Sequence, residues 1–252
     1  MNRFLYILIV FFLIFLNQLD AQRWKRTRYE VLYGINTINA FTDLGGGNGD
    51  AKPLFLDMDI QGTRPGIYLG ARYKYRELIA FRYNLLFAWI KASDTYTKWD
   101  SRQNRNVSVN TPLLENSLVA EYSIQKERFG TRYTFSNLRR FNFKYVNVFL
   151  YAGVGGIFAP PNTKNQMYIA NRLVAEGDSY HTFNLCFPMG VGFKYGIDRR
   201  TSFSIDVGHR YTTTDYLDGI SDIHSKRNDS YFVLIFHLTY KLRTARSGLP
   251  KF

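Results

Sequence analysis

The chain has 252 residues, a formal net charge of +13 and 17% aromatic side chains, with a single cysteine, Cys186. That length suits one domain, and the lone cysteine excludes an intrachain disulfide framework. The basic charge comes without a basic helix, zinc-ligand spacing or RNP-like strand, so no nucleic-acid partner is expected.

Residues 1–21 read as a cleavable export signal. Arg3 supplies the positive start, residues 4–16 the apolar centre, and Leu19-Asp20-Ala21 the cleavage site before Gln22. The centre falls short of the roughly 20 residues a membrane helix needs, so an uncleaved anchor is the weaker alternative. No later segment is long and uniformly apolar, which excludes a helical membrane protein. A basic arm, residues 22–28, follows the signal.

From residue 29 the pattern has period two, the periodicity of a strand whose side chains alternate between faces. Eight strands are predicted. The first, about residues 29–41, puts Tyr29, Val31, Tyr33 and Ile35 on one face; the second, 64–74, carries Ile67, Leu69, Ala71 and Tyr73. The third, 78–91, turns Ile79, Phe81, Tyr83, Leu85, Phe87 and Trp89 outward and Arg82 and Asn84 inward. The fourth, 115–126, has Leu118, Ala120, Tyr122 and Ile124 outward, and the fifth, 143–158, leaves its outward face open. The sixth, 180–196, alternates Phe183, Leu185, Phe187, Met189, Val191 and Phe193 with a small or polar face that includes Cys186, Gly190 and Gly192. The seventh, 201–213, presents Phe203, Ile205, Val207, His209 and Tyr211; the eighth, 231–242, presents Phe232, Leu234, Phe236, Leu238, Tyr240 and Leu242. Residues 243–252 form a tail.

Tight connections near residues 75–77 and 197–200 alternate with long ones at 42–63, 92–114, 159–179 and 214–230. Greasy-out strands, short turns on one side and long loops on the other predict an all-β, eight-stranded antiparallel transmembrane β-barrel of the outer-membrane type, with the short turns periplasmic. Tyrosine-rich composition fits such a wall, because the ring lies in the apolar band and the hydroxyl reaches the interface. The connection at residues 129–142 breaks the rule, being periplasmic by count but long. A bore of eight strands is filled by side chains, so no wide pore is expected. Its charges must be paired. Glu30 is expected beside Lys241 across the closing seam, and Arg82 beside Glu121 across the third and fourth strands.

The short-turn side carries the charge. The arm contributes +4, the first turn +1, the 126–144 connection +5, the third short turn +1 and the C-terminal end +4, together more than the whole chain's +13. Arg128, Arg132, Arg139, Arg140, Arg199, Arg200, Arg243 and Arg246 therefore form a candidate docking rim for an acidic periplasmic partner. Anionic headgroups of the outer-membrane lipid are an equal alternative, at about 1 kcal/mol per basic residue near the surface.

Catalytic and ligand motifs are weak. Gly208-His209-Arg210-Tyr211-Thr212 is faintly similar to the lipid A deacylase barrels, a resemblance that would place a His and a Ser two residues apart; here that position is Tyr211. A nucleophile needs its base within hydrogen-bond reach, and Thr213 is a poor substitute. The segment Gly45-Gly46-Gly47-Asn48-Gly49-Asp50 opens no helix, and Asp215, Asp218, Asp222 and Asp229 lack an EF-hand spacing. No catalytic residue, metal, cofactor or small-molecule substrate is expected.

Two loops carry a family resemblance. Ala40-Phe41-Thr42-Asp43-Leu44-Gly45-Gly46 follows the first strand, and Thr214-Asp215-Tyr216-Leu217-Asp218-Gly219-Ile220-Ser221, with Asn228-Asp229-Ser230-Tyr231, leads into the last. Over residues 29–242 the chain resembles the PorG-like barrels of Gram-negative bacteria that use the type IX secretion system. The resemblance implies an outer-membrane, non-enzymatic component that associates with that machine's periplasmic ring, built from a lipoprotein and its partner. The alternatives are a generic small barrel of the OmpA/OmpX kind, for adhesion or envelope integrity, and, ranked third, a lipid A-modifying enzyme.

Overall fold

A computed structural model describes residues 23–41, 62–93, 108–125, 127, 145–160, 163–164, 181–214, 217, 228–245, 247 and 249–251. The signal at 1–21, the loop motif at 42–46 and most of the 214–221 motif lie outside the described residues. A short 3₁₀ turn, η1 (Arg23–Thr27), leads into β1 (Tyr29–Phe41), β2 (Arg64–Lys74), β3 (Ile79–Ser93), β4 (Ser108–Ser123) and β5 (Val146–Phe158). Then come the two-residue β6 (Thr163–Lys164), β7 (Phe183–Gly196), β8 (Thr201–Thr212) and β9 (Ser230–Lys241), with a terminal hairpin of β10 (Arg243–Thr244) and β11 (Pro250–Lys251).

Every long strand pairs antiparallel with its neighbours. The order β3-β2-β1-β9-β8-β7-β5-β4 returns on itself through β3–β4, and β6 adds to the outer end of β4. This is a closed eight-stranded antiparallel barrel. The seam is β1 on β9, from Glu30↔Lys241 to Phe41↔Ser230. β4 differs most from expectation, beginning at Ser108 rather than near residue 115. Pro112 and the polar Asn110 and Thr111 hide strand character in the sequence. The long β3 nevertheless extends the ladder through Trp89↔Pro112 to Ser93↔Ser108, because pairing with a long partner overrides local propensity.

The wall is turned inside out relative to a water-soluble core. Outward side chains such as Ile35 (59% exposed), Leu118 (55%), Val154 (59%) and Phe183 (63%) form an apolar belt. The largest fully buried side chains include Arg82, Arg210 and Lys241, types almost never found inside unless paired. In β5, Leu150, Ala152 and Val154 face outward and Phe149 and Tyr151 inward, which settles the face the sequence left open.

Those two rings explain the small face of β7. A Cβ on Gly192 would lie 2.1 Å from Phe149 Cζ, and one on Gly208 would lie 2.0 Å from the Tyr151 hydroxyl. The aromatics of β5 thus lean over the adjacent β7 and toward β8, into space that their glycines leave empty. Gly190 is more constrained, since its Cβ would lie 2.2 Å from the Val207 carbonyl oxygen, which is backbone. We expect Gly190→Val to destabilise the barrel by about 3 kcal/mol, at the upper end of overpacking. Equilibrium denaturant titration checks this; an unchanged midpoint would refute the close approach of β7 and β8.

Inside the bore, buried Leu32, Tyr68, Leu86, Leu113, Ile157 and Ile235 form an apolar cluster, and Leu217 of the last long loop joins it fully buried. Leu217 N donates to Asp229 Oδ2 (2.8 Å), while its carbonyl accepts from Thr111 Oγ1 (3.0 Å). The last long loop therefore sends one leucine into the barrel mouth. At the other end the tail hairpin meets the arm, with Arg28 N donating to Thr244 Oγ1 at 3.2 Å.

Candidate functional site

Around this cluster, the inward parity of the strands builds a ladder of charge that runs to the short-turn end. Glu115 comes first: Tyr231 Oη and Ser117 Oγ donate to it at 2.9 and 2.7 Å, and Arg210 Nε lies 3.4 Å away. Tyr68 donates to Asn84 (2.7 Å), whose amide donates on to Ser117 (3.2 Å). The next tier holds Arg72, Arg82, Glu121 and Asp206. Glu121 takes Arg72 at 2.7 Å and Arg82 at 2.9 Å; Arg82 also reaches Asp206, which faces His237 at 3.4 Å. Phe149 and Tyr151 lie against these guanidinium groups, with Arg72 5.3 Å from the Phe149 ring centre and Arg82 5.2 Å from that of Tyr151.

The lowest tier opens to the short-turn side. Glu30 takes Arg72 and Lys74 at 2.8 Å and Lys194 at 2.9 Å. Glu127, just past β4, reaches back into the same mouth and pairs with Lys194 (2.8 Å), Lys241 (2.9 Å) and Lys74. Burial pushes the Glu127 carboxyl up, but the three ammonium groups outweigh it and hold the group well below the usual carboxylate range. A lowered folded value means the stabilisation is full above about 4.5, the unfolded value, and is lost as pH falls below it toward the folded one. We expect Glu127→Gln to cost about 3 kcal/mol at pH 7, because three ammonium groups lose a shared carboxylate and Lys74 and Lys194 must both rely on Glu30. The gap from wild type should narrow in denaturant titrations repeated below pH 4.5; a gap constant with pH would mean Glu127 is not charged in the mouth.

Glu30 and Lys241 are register partners across the seam, yet Lys241 reaches Glu127 while Glu30 gathers Arg72, Lys74 and Lys194. Arg82 and Glu121 meet directly, but each has a second partner. Of the candidate docking rim, Arg199 and Arg200 are exposed in the turn between β7 and β8, and Arg243 is exposed on β10. Arg128, Arg132, Arg139, Arg140 and Arg246 lie outside the described residues. One correction to the charge count follows: Lys74, counted with the first turn, and Lys241, counted with the C-terminal end although expected inside, are buried in the bore, and Glu127 of the 126–144 connection is half-buried in its mouth. Arg72, Lys194, Asp206, Arg210 and Glu115 were missed as a network, although all carry the inward parity of their strands. His209 lies on the outer wall, its ring 4.6 Å from that of Tyr211 in a T-shaped contact.

Likeness to known proteins is distant. Neisserial surface protein A is 12% identical, with 84% of this chain and 96% of that one covered and a TM-score of 0.45. The outer membrane protein OprG from Pseudomonas aeruginosa is 10% identical, covering 86% and 96%, TM-score 0.45. The outer membrane enzyme PagL is 10% identical, covering 84% and 98%, TM-score 0.38. Likenesses at this level carry no functional argument. No curated protein matches the chain significantly in sequence. Residues 59–239 match the family described as Domain of unknown function (DUF6089), and the chain belongs to that family.

Proposed function

We propose that this protein is an outer-membrane barrel, exported by its signal, that acts as a non-enzymatic docking subunit of a protein-secretion machine of the type IX kind. The observation that carries the membrane part is the inversion of the wall: an apolar belt outside, and inside a bore of ion pairs. Hydrocarbon tolerates such a belt, whereas water would not. A filled bore suits a scaffold rather than a conduit. The docking part rests on charge. Lys25, Arg26, Arg199, Arg200 and Arg243 are exposed at the short-turn end, and the loop resemblance adds the type IX context. A one-sign surface attracts and orients an acidic partner such as a periplasmic ring protein.

Purification in mild detergent, with the co-purifying proteins identified, tests this. Recovery of periplasmic secretion components, lost when Arg132, Arg139 and Arg140 are replaced by Gln, is the expected result. Recovery of the barrel with lipid alone, and intact secretion on deletion, would favour the generic barrel. Intact secretion with altered lipid A would point to the enzyme.

A further inference from the structure

Two sets of three arginines stand apart among the described residues. Inside, Arg72, Arg82 and Arg210 each meet a carboxylate. At the short-turn end, the guanidinium groups of Arg28, Arg76 and Arg200 meet none among the described residues, and each meets an aromatic side chain instead, Arg200 through the tyrosine hydroxyl alone. Arg28 Nη1 donates to the Tyr73 hydroxyl at 3.4 Å, and its guanidinium is 5.0 Å from the Trp24 ring centre. The Arg76 guanidinium is 5.7 Å from the Tyr75 ring centre, and Arg200 Nη1 donates to the Tyr240 hydroxyl at 3.2 Å.

These tyrosines belong to the outer wall. Tyr73 is the register partner of Tyr29 and of Phe81, and Tyr75 packs on Phe81 with ring centres 6.2 Å apart. Tyr240 pairs with outward Val31 on one side and with Thr201 on the other. The cations thus trace an arc over five adjacent strands, β8-β9-β1-β2-β3, at the lower margin of the apolar belt. A guanidinium held by a tyrosine, with donors to spare, presents a fork that matches the oxygens of a phosphate.

We propose that this arc binds the phosphodiester groups of anionic phospholipids in the leaflet at the short-turn end. This rests on the reading that hydrocarbon covers the belt. The depth of the arc selects the ligand, since the margin of an apolar belt is where headgroup phosphates lie. The arc also withdraws Arg200 from the protein-docking set and leaves Arg199 and Arg243 in it.

Native mass spectrometry of the detergent-solubilised barrel, titrated with phosphatidylglycerol against phosphatidylcholine, tests the proposal. The wild type should retain phosphatidylglycerol preferentially. The Arg28→Gln/Arg76→Gln/Arg200→Gln variant should lose about fivefold for each arginine that engages a phosphate. None of the three joins the interior network, so a folded barrel should persist, read by heat-dependent gel mobility. The Arg199→Gln/Arg243→Gln variant removes charge from the same end without touching the arc and should keep the preference. Equal loss in both variants would reduce the effect to net charge and overturn the site. Displacement of lipid by millimolar inorganic phosphate would assign the arc to a soluble anion and overturn it too. Failure of the wild type to insert into neutral vesicles would instead strike the membrane reading, which the arc's failure would leave intact.

Discussion

Replacing Arg82 by Met is expected to cost about 3–5 kcal/mol, as when one member of a buried ion pair is removed. Arg82 is 1% exposed and bridges Glu121 and Asp206. Without it, Glu121 keeps Arg72, but Asp206 is left facing only His237, at 3.4 Å, in the ion pairs of the described residues. The second substitution Asp206→Asn should therefore restore a large part of the loss, because it removes the stranded charge. Glu121→Gln should restore less, because it would release Arg72 from one of its two carboxylates. Denaturant unfolding of the single and double variants, followed by tryptophan fluorescence, gives the comparison. Equal losses for the single variant and the Arg82–Asp206 double would show that the pair is not coupled.

Leu118→Arg is expected to destabilise the barrel by about 2–4 kcal/mol in a bilayer, the cost of an arginine on a lipid-facing wall near mid-depth. Leu118 is 55% exposed and lies between Tyr83 and Val154 in the middle of the belt. The sign of the effect separates two environments. In water the same change would place a charge on an exposed position and cost almost nothing. Refolding into vesicles, with stability compared to wild type, measures it; a neutral result would remove the hydrocarbon from around the belt. One polar group in the belt is already accommodated, since outward Asn116 accepts from the Tyr83 hydroxyl at 2.7 Å.

Much of the wall was legible from period-two alternation. The bounds of β1 and β2, the outward faces of β3 and β4, and the inward place of Cys186 all follow from it. Alternation is hidden in parts of β4 and β5. β4 was shortened because Pro112 and its polar neighbours read as loop, and β5 was ambiguous because glycines dilute both of its faces. Charge assigned by position along the chain also failed near strand ends. Lys74 terminates β2 and so reads as a rim residue, yet its parity is inward and its long stem carries the ammonium group into the mouth; Lys241, expected inside beside Glu30, does not belong in the count of the C-terminal end. Glu127 carries no strand parity at all, so nothing local marks it as the counter-ion for three lysines.

The amino-acid sequence by itself determined that eight hairpin-forming strands would present one greasy and one polar face, because side-chain direction in a strand depends only on residue parity. It also determined that buried charge of both signs would have to coexist. Which cation met which anion was decided only in three dimensions. Barrel closure brings β1, β2, β4, β7, β8 and β9 to one axis, where long side chains reach past their register neighbours to partners as distant in sequence as Lys194 and Glu30. The same closure sent three arginines inward to carboxylates and set three others at the rim against aromatic side chains.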